Sequence, residues 1–371
     1  MTIAYWFILA SFLLSALMGW FLIPRVLIIS YKHRLFDMPD SRKVHDRPIP
    51  RLGGLTFFPV ITISISLLMA VRYIFGWGVV NVASDVVLVE FLMLLAGSCL
   101  LYIVGVGDDL IGVTYRSKFV AQIICGILIA ASGLWLHNMG GFLGISYMPQ
   151  WLGWLAAIFA TVYITNAFNL IDGIDGLASG LTAIALFVFG AIFVLERQLI
   201  YAMIAFSTFG VVLPFWVYNV FGNSMKGKKI FMGDTGSLTL GFIMSFLLLR
   251  IMLTGFEQKG KPDFIIIAVS ALLIPMFDVV RVAFHRIRKH RNPFKPDRNH
   301  IHHKLMRSGM RMYGVLITII VMDLFYIVLN YALAQYINIT VIIIIDLLIW
   351  AALHLYLNHK IKQVEGVPHS I

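Results

Sequence analysis

The chain has 371 residues, of which 60% are hydrophobic and 13% charged, with a formal net charge of +11 and a mean hydropathy of +0.89. A soluble protein carries roughly a quarter charged residues, and apolar runs recur along nearly the whole length, so composition excludes both a soluble enzyme and a soluble enzyme on a single anchor. The positive balance reads as inner-face loop cations beside anionic lipid, and no nucleic-acid partner is expected.

A membrane-spanning helix needs about 20 apolar residues. Qualifying runs lie at 3–30, 54–71, 86–106, 118–136, 151–168, 177–195, 199–219, 236–254, 264–284, 314–334 and 337–357. The expected architecture is therefore all-α, one polytopic membrane domain over 1–371 with about 11 transmembrane helices. The first run has no basic residue before Arg25 and is longer than a signal-peptide core, so it reads as a retained helix entering from outside. Cys99 and Cys125 both lie in apolar runs and read as packing residues.

With the N-terminus outside, alternation puts 31–53, 107–117, 169–176, 220–235, 285–313 and the C-terminal tail on the cytoplasmic side. Of 29 Lys and Arg residues, only Arg72, Arg197, Arg250, Lys259 and Lys261 then fall outside, and the external loop 137–150 has none. That asymmetry is the positive-inside pattern.

The inner segments carry the chemistry. At 107–118, Asp108 and Asp109 stand side by side at a helix rim, with Arg116 and Lys118 following. Adjacent carboxylates resist desolvation there, which suits a divalent cation or phosphate transfer; a solvated acidic helix end is the plain alternative. The segment 166–176 holds Asn166, Asn169, Asp172 and Asp175 with almost no cations, a set of hard oxygen ligands of the kind Mg²⁺ takes. Gly173 and Gly176 permit turns, and the segment leads into a helix N-terminus. A capped interhelical turn is the bland reading of it.

In 220–237, Asp234, Thr235 and Ser237 open a helix as possible N-caps, Asp234 adds an oxygen ligand, and Phe231 is placed to stack on a base or to anchor at the interface. The loop 285–313 ends in Asp297, Asn299, His300, His302, His303 and Lys304. Without a nearby cysteine and amid many cations, the histidines suit phosphate or sugar oxygens better than zinc. Asp278 and Arg281 stand three apart and read equally well as a simple ion pair; Asp323 and Asp346 sit inside apolar runs without a motif.

Together with a basic first inner loop (Asp37, Pro39, Arg42, Lys43, His45, Pro48, Pro50, Arg51, Gly53 and Gly54), these segments resemble the polyprenyl-phosphate N-acetylhexosamine-1-phosphate transferases from Asp37 to Lys304. The His-x-His-His pattern resembles the branch that uses UDP-N-acetylglucosamine and undecaprenyl phosphate, rather than the phospho-MurNAc-pentapeptide branch with three consecutive histidines. The resemblance implies transfer of N-acetylglucosamine 1-phosphate to undecaprenyl phosphate with release of UMP, at the inner face of a bacterial cytoplasmic membrane. Related enzymes use other UDP-N-acetyl sugars.

The same resemblance implies Mg²⁺, with Mn²⁺ as the alternative, on Asn169 and Asp234, and catalytic roles for Asp108, Asp109 and Asp234. Nucleotide contacts fall to Asp172, Asp175 and Phe231, and phosphate or sugar contacts to Arg51, Lys118, His300, His302 and His303. Membrane lipid and, by analogy with relatives, a homodimer are the other expected partners. Direct attack and a phosphoryl-aspartate intermediate both fit these residues. A transporter, the rival class, predicts midplane polar residues and internal repeats, and no repeat is evident.

Overall fold

The computed structural model describes residues 2–37, 48–77, 85–139, 142–145, 147–257, 263–290, 292 and 299–366. Pro39, Arg42, Lys43 and His45 of the first inner loop, and Lys259, Lys261 and Asp297, lie outside them.

The apolar runs fold as helices: α1 (Thr2–Lys32), α2 (Phe57–Ile74), α3 (Asp85–Ile111), α4 (Tyr115–Ala131), α5 (Gln150–Ile171), α6 (Leu177–Leu195), α7 (Leu199–Phe221), α8 (Gly233–Glu257), α9 (Asp263–Ser270), α10 (Leu273–Arg288), α11 (Ile301–Arg307), α12 (Met312–Ala334) and α13 (Ile339–Glu365). The extended pairing among the described residues is two residues long on each side, β1 (Phe36–Asp37) against β2 (Ile49–Pro50). The chain is all-helical in architecture, as its composition demands of a lipid-embedded backbone.

Among the described residues nine helices are long and apolar enough to cross a membrane, and the count is ten where α9 and α10, bent by 58° at their junction, are taken as one span. The bend falls where Pro275, in the first turn of α10, cannot donate to the preceding turn. The run expected at 118–136 corresponds to α4, whose 17 residues stop at Ala131, at the short end of the length a crossing takes.

Two expected loops prove to be helix ends. The apolar run thought to stop at Val106 continues to Ile111, so Asp108 and Asp109 sit in the last turn of α3. Likewise α5 continues to Ile171 and includes Asn166 and Asn169. The expected loop 285–313 contains the short helix α11.

α8 forms the centre: every residue from Thr235 to Leu249 is buried. Small residues allow neighbours that close, as in other membrane bundles. A side chain at Gly105 of α3 would collide with Thr235, one at Gly97 with Phe242, and one at Gly241 would press on Thr165 of α5. α1 packs on α7 in the same manner, with Gly210 against the Phe12 carbonyl and Ser15 hydrogen-bonded to Ser207 at 2.7 Å. α12 and α13 instead expose Ile317, Val321, Val328, Ile344 and Leu348, the surface a lipid would cover.

At one end of the bundle Glu90, buried on α3, pairs with Arg250 of α8 at 3.0 Å and accepts from Tyr201. The candidate residues lie at the other end of α3, about 27 Å away at 1.5 Å per residue.

Candidate active site

The site forms where α3 ends and α8 begins. A carboxylate in the last turn of α3 faces the helix's own partial negative charge, so Asp108 and Asp109 are stable there only with outside partners. Asp109, with a side chain 0% exposed, finds them at the N-terminus of α8. Its Oδ1 accepts from the Asp234 amide at 2.9 Å, and its Oδ2 accepts from the Thr235 amide at 3.0 Å and the Thr235 hydroxyl at 2.6 Å. Arg51 Nε adds a charged donor at 3.1 Å. Gly233 turns the chain into α8 at φ +72°, where a side chain would collide with the Arg51 carbonyl.

Asp108 points differently. Its Oδ1 accepts from the Val113 amide at 2.7 Å, while Oδ2 lies 2.8 Å from Lys118 Nζ. The same ammonium pairs with Asp234 Oδ2. Thr114 caps α4 by accepting from the Ser117 amide, which sets Lys118 one turn into the helix and aims it at both acids. Oxygens of Asp108, Asp109 and Asp234 all lie within 4.8 Å of one another.

The end of α5 adjoins this group. Asn169 donates to Ser237 Oγ at 2.8 Å, so it rests against the first turn of α8. Asp172 follows as the helix's C-cap, solvent-accessible but with protein packed close around it. That enclosure, and then the carboxylates of Asp234, Asp175 and Asp109, push its carboxyl up to about 7.

Asn219 joins the next two segments: its Oδ1 accepts from Gly176 N at 2.6 Å and its Nδ2 donates to Ile230 O at 2.8 Å. Lys229 pairs with Asp175. Residues 50–54 then run along 231–232, with Phe231 N donating to Pro50 O at 2.7 Å, Gly53 N to Phe231 O and Gly54 N to Met232 O, both at 2.9 Å. Phe231 itself is half-buried.

The histidines approach from α11. His302 is 1% exposed and fills the space over Gly173, where any side chain would collide with its ring. Burial, and then the neighbouring His303 and His300, pull His302 down to about 3, so it is neutral at pH 7. Its ring stacks on His300 at 5.9 Å and tilts against His303 at 4.2 Å. Lys304, buried beside His354 at 3.3 Å, is pulled down to about 8 by burial and then by Arg281.

The fold thus brings Arg51, Asp108, Asp109, Lys118, Asn169, Asp172 and Asp234 to one place, with Asp175 and Phe231 on the adjoining segments and the histidines reaching it through Gly173. Asp346 lies elsewhere, accepting from Asn330 at 2.8 Å between α12 and α13, and Asp323 is buried on α12. Sequence reasoning missed Asn219, Lys229 and the hydroxyl of Thr235. Asn219 had a usable signal, a lone carboxamide near the end of an apolar run.

Residues 91–252 match the sequence profile of glycosyl transferase family 4. The undecaprenyl-phosphate alpha-N-acetylglucosaminyl 1-phosphate transferase of Escherichia coli K12 is 32% identical over 295 residues, 78% of this chain and 75% of that protein. The chain belongs to glycosyl transferase family 4. The enzyme of the same name from Yersinia pestis is 31% identical over the same length. The probable undecaprenyl-phosphate N-acetylglucosaminyl 1-phosphate transferase of Bacillus subtilis is 31% identical over 310 residues, 82% of this chain and 78% of that one. The family match covers α3 to α8, which include the helices that carry Asp108, Lys118, Asn169 and Asp234. The protein is accordingly a multi-pass membrane glycosyl-1-phosphate transferase.

The family's usual divalent cation can be tested against these residues. The convergent oxygens of Asp108 and Asp234 are the hard donors such an ion takes, and the ammonium of Lys118 sits between them as a cation already does. Asp109 is a poorer donor because both of its oxygens are engaged at the start of α8. The donor set fits a small divalent cation.

Proposed function

We propose that this enzyme transfers N-acetylglucosamine 1-phosphate from UDP-N-acetylglucosamine to undecaprenyl phosphate, giving undecaprenyl-diphospho-N-acetylglucosamine and UMP, at the cytoplasmic face of a bacterial cytoplasmic membrane. The observation that carries the reading is the convergence of Asp108, Asp234 and Lys118 at one end of a membrane bundle, in a chain whose relatives are named for this reaction. The His300, His302 and His303 pattern favours N-acetylglucosamine over other UDP-N-acetyl sugars.

An oxygen of the lipid phosphate attacks the sugar-bearing phosphorus; that P–O bond forms as the bond to the bridging oxygen of the diphosphate breaks, and UMP leaves with that oxygen. The nucleophile needs little base assistance, because a phosphate monoester has its second pKa near ~6. The barrier lies in bringing two anions together, which positive charge lowers. Asp234 and Asn169 would hold Mg²⁺, or Mn²⁺ in its place, which would supply charge neutralisation at the diphosphate.

Lys118 and Arg51 add fixed cations beside the reacting phosphates, and Asp108 faces the lipid phosphate and keeps Lys118 in place. Asp109 acts by holding Arg51 and the first turn of α8. Asp172, Asp175 and Phe231 receive the nucleotide, with the Phe231 ring against the base. His300 and His303 bind phosphate and sugar oxygens, and His302 supports them from within. Membrane lipid surrounds the bundle, and a homodimer is part of the same reading.

The test is UMP release by the purified protein with undecaprenyl phosphate, Mg²⁺ and a panel of UDP-N-acetyl sugars. Release with UDP-N-acetylglucosamine alone supports the whole reading. Release with another sugar moves the specificity, and no release from folded protein with any sugar overturns it.

A further inference from the structure

Asp278 takes no part in the reading above, yet its surroundings are built around the histidine motif. It lies on α10 with its side chain 1% exposed, and three consecutive positions of another segment converge on it and its neighbour. Its Oδ2 lies 2.7 Å from His300 Nδ1, and its Oδ1 accepts from the Ile301 amide at 3.0 Å, the first residue of α11. Arg281, one turn along α10, donates to Oδ1 at 2.7 Å and to the Asn299 carbonyl.

The contact to His300 carries chemical information. An ionised carboxylate only accepts hydrogen bonds, so Nδ1 of His300 bears the proton in this pair. That fixes the ring's tautomer and flip together, and leaves Nε2 on the opposite side of the ring, away from α10. Among the described residues Nε2 makes no hydrogen bond to protein. His302, stacked on one face of the ring at 5.9 Å, restricts its remaining tilt and abuts Gly173 beside Asp172.

We propose that Asp278 is a positioning residue, holding His300 with Nε2 presented to the phosphate groups of the sugar nucleotide; this rests on the reading that His300 contacts the substrate. The competing account makes Asp278 a structural counter-charge for Arg281 and a cap for α11. That account is indifferent to the imidazole, and the two separate experimentally.

The experiment measures UMP release by the full-length protein for Asp278→Asn, His300→Ala and the double variant. Asp278→Asn preserves shape and lowers kcat/KM by about 10- to 100-fold, the range for a group that orients a working histidine. The double variant is no worse than His300→Ala by more than about twofold, because a positioning residue has nothing left to position. Full additivity overturns the proposal in favour of the structural account. Wild-type turnover by His300→Ala overturns the reading on which it rests.

A second variant, Ile301→Pro, read against Ile301→Ala because the Ile301 side chain is fully buried, tests the cap. His300 already has φ −59° and ψ 157°, the conformation a following proline requires, and proline is well accepted at the first position of a helix. The variant removes the amide bond to Asp278 and keeps the imidazole bond, so kcat/KM should change by less than about threefold. A loss as large as that of Asp278→Asn would assign the carboxylate to capping and overturn the proposal.

Discussion

Asp109 and Thr235, 126 positions apart, meet through two hydrogen bonds that close the N-terminus of α8 with a carboxylate from the end of α3. Both helix ends gain: the orphan amides of α8 are satisfied and the charge at the end of α3 is neutralised. Asp109→Asn sets an amide donor or an uncharged acceptor against those groups. It should destabilise by about 2–4 kcal/mol, since bonds to a charged group are worth ~1.5–3 kcal/mol each. Thermal unfolding in detergent should show a clear fall in Tm for Asp109→Asn and little change for Asp108→Asn, whose loss should appear in UMP release.

Metal dependence follows from the oxygen donors gathered around Asp234, with Asn169 resting against the same helix. UMP release should stop with EDTA and return with Mg²⁺, and Asp234→Asn should stay inactive at any Mg²⁺ concentration. Near-normal turnover by Asp234→Asn would remove it from the cation's donors.

Asp172 gives the pH dependence a sign. Its carboxyl is pushed up to about 7, so it is mostly neutral below that pH and charged above it. A bound cation favours the charged form, and so the affinity for Mg²⁺ should weaken as pH falls below about 7 and level off above it. Titrations of UMP release with Mg²⁺ between about pH 6 and 8.5 should show this in wild type and a flatter profile in Asp172→Asn.

Glycines separate close approach from free space. Gly105→Ala drives a methyl into the backbone of Thr235 and should cost several kcal/mol, about 3 or more, with loss of folded protein. Gly314, in the first turn of α12, has open space around it, so Gly314→Ala should be neutral or stabilising by up to ~1 kcal/mol. Monodisperse yield and Tm check both.

Inside the membrane, Asn330 donates to Asp346 and to Ser270, both at 2.8 Å. Asn330→Ala should cost about 0.6–2 kcal/mol, the range for an interhelical hydrogen bond in a bilayer, while UMP release is retained.

The membrane fold was legible because runs of apolar residues long enough to span must become helical, and all did, the run 264–284 as two helices. Helix ends were less legible. Asp108 and Asn169 looked like loop residues, since polarity marks where water begins and not where backbone hydrogen bonding stops. The candidate residues were found as types; their division of labour was not. Nothing in the pair Asp108-Asp109 says that one acid faces Lys118 while its neighbour closes another helix, because that depends on which side of α3 meets α8. Asp278 and Arg281 do form the ion pair their spacing suggests, and the contact to His300 lay beyond any local pattern.

The burial of α8 from Thr235 to Leu249 also bears on how the enzyme experiences its surroundings. Over that stretch protein sheathes the helix and acyl chains do not reach it, so hydrophobic mismatch has little direct hold there. A thinner or thicker bilayer can tilt α12 and α13 at the periphery while Asp234 keeps its depth and its distance from Lys118, leaving the reaction centre insulated from changes in lipid composition.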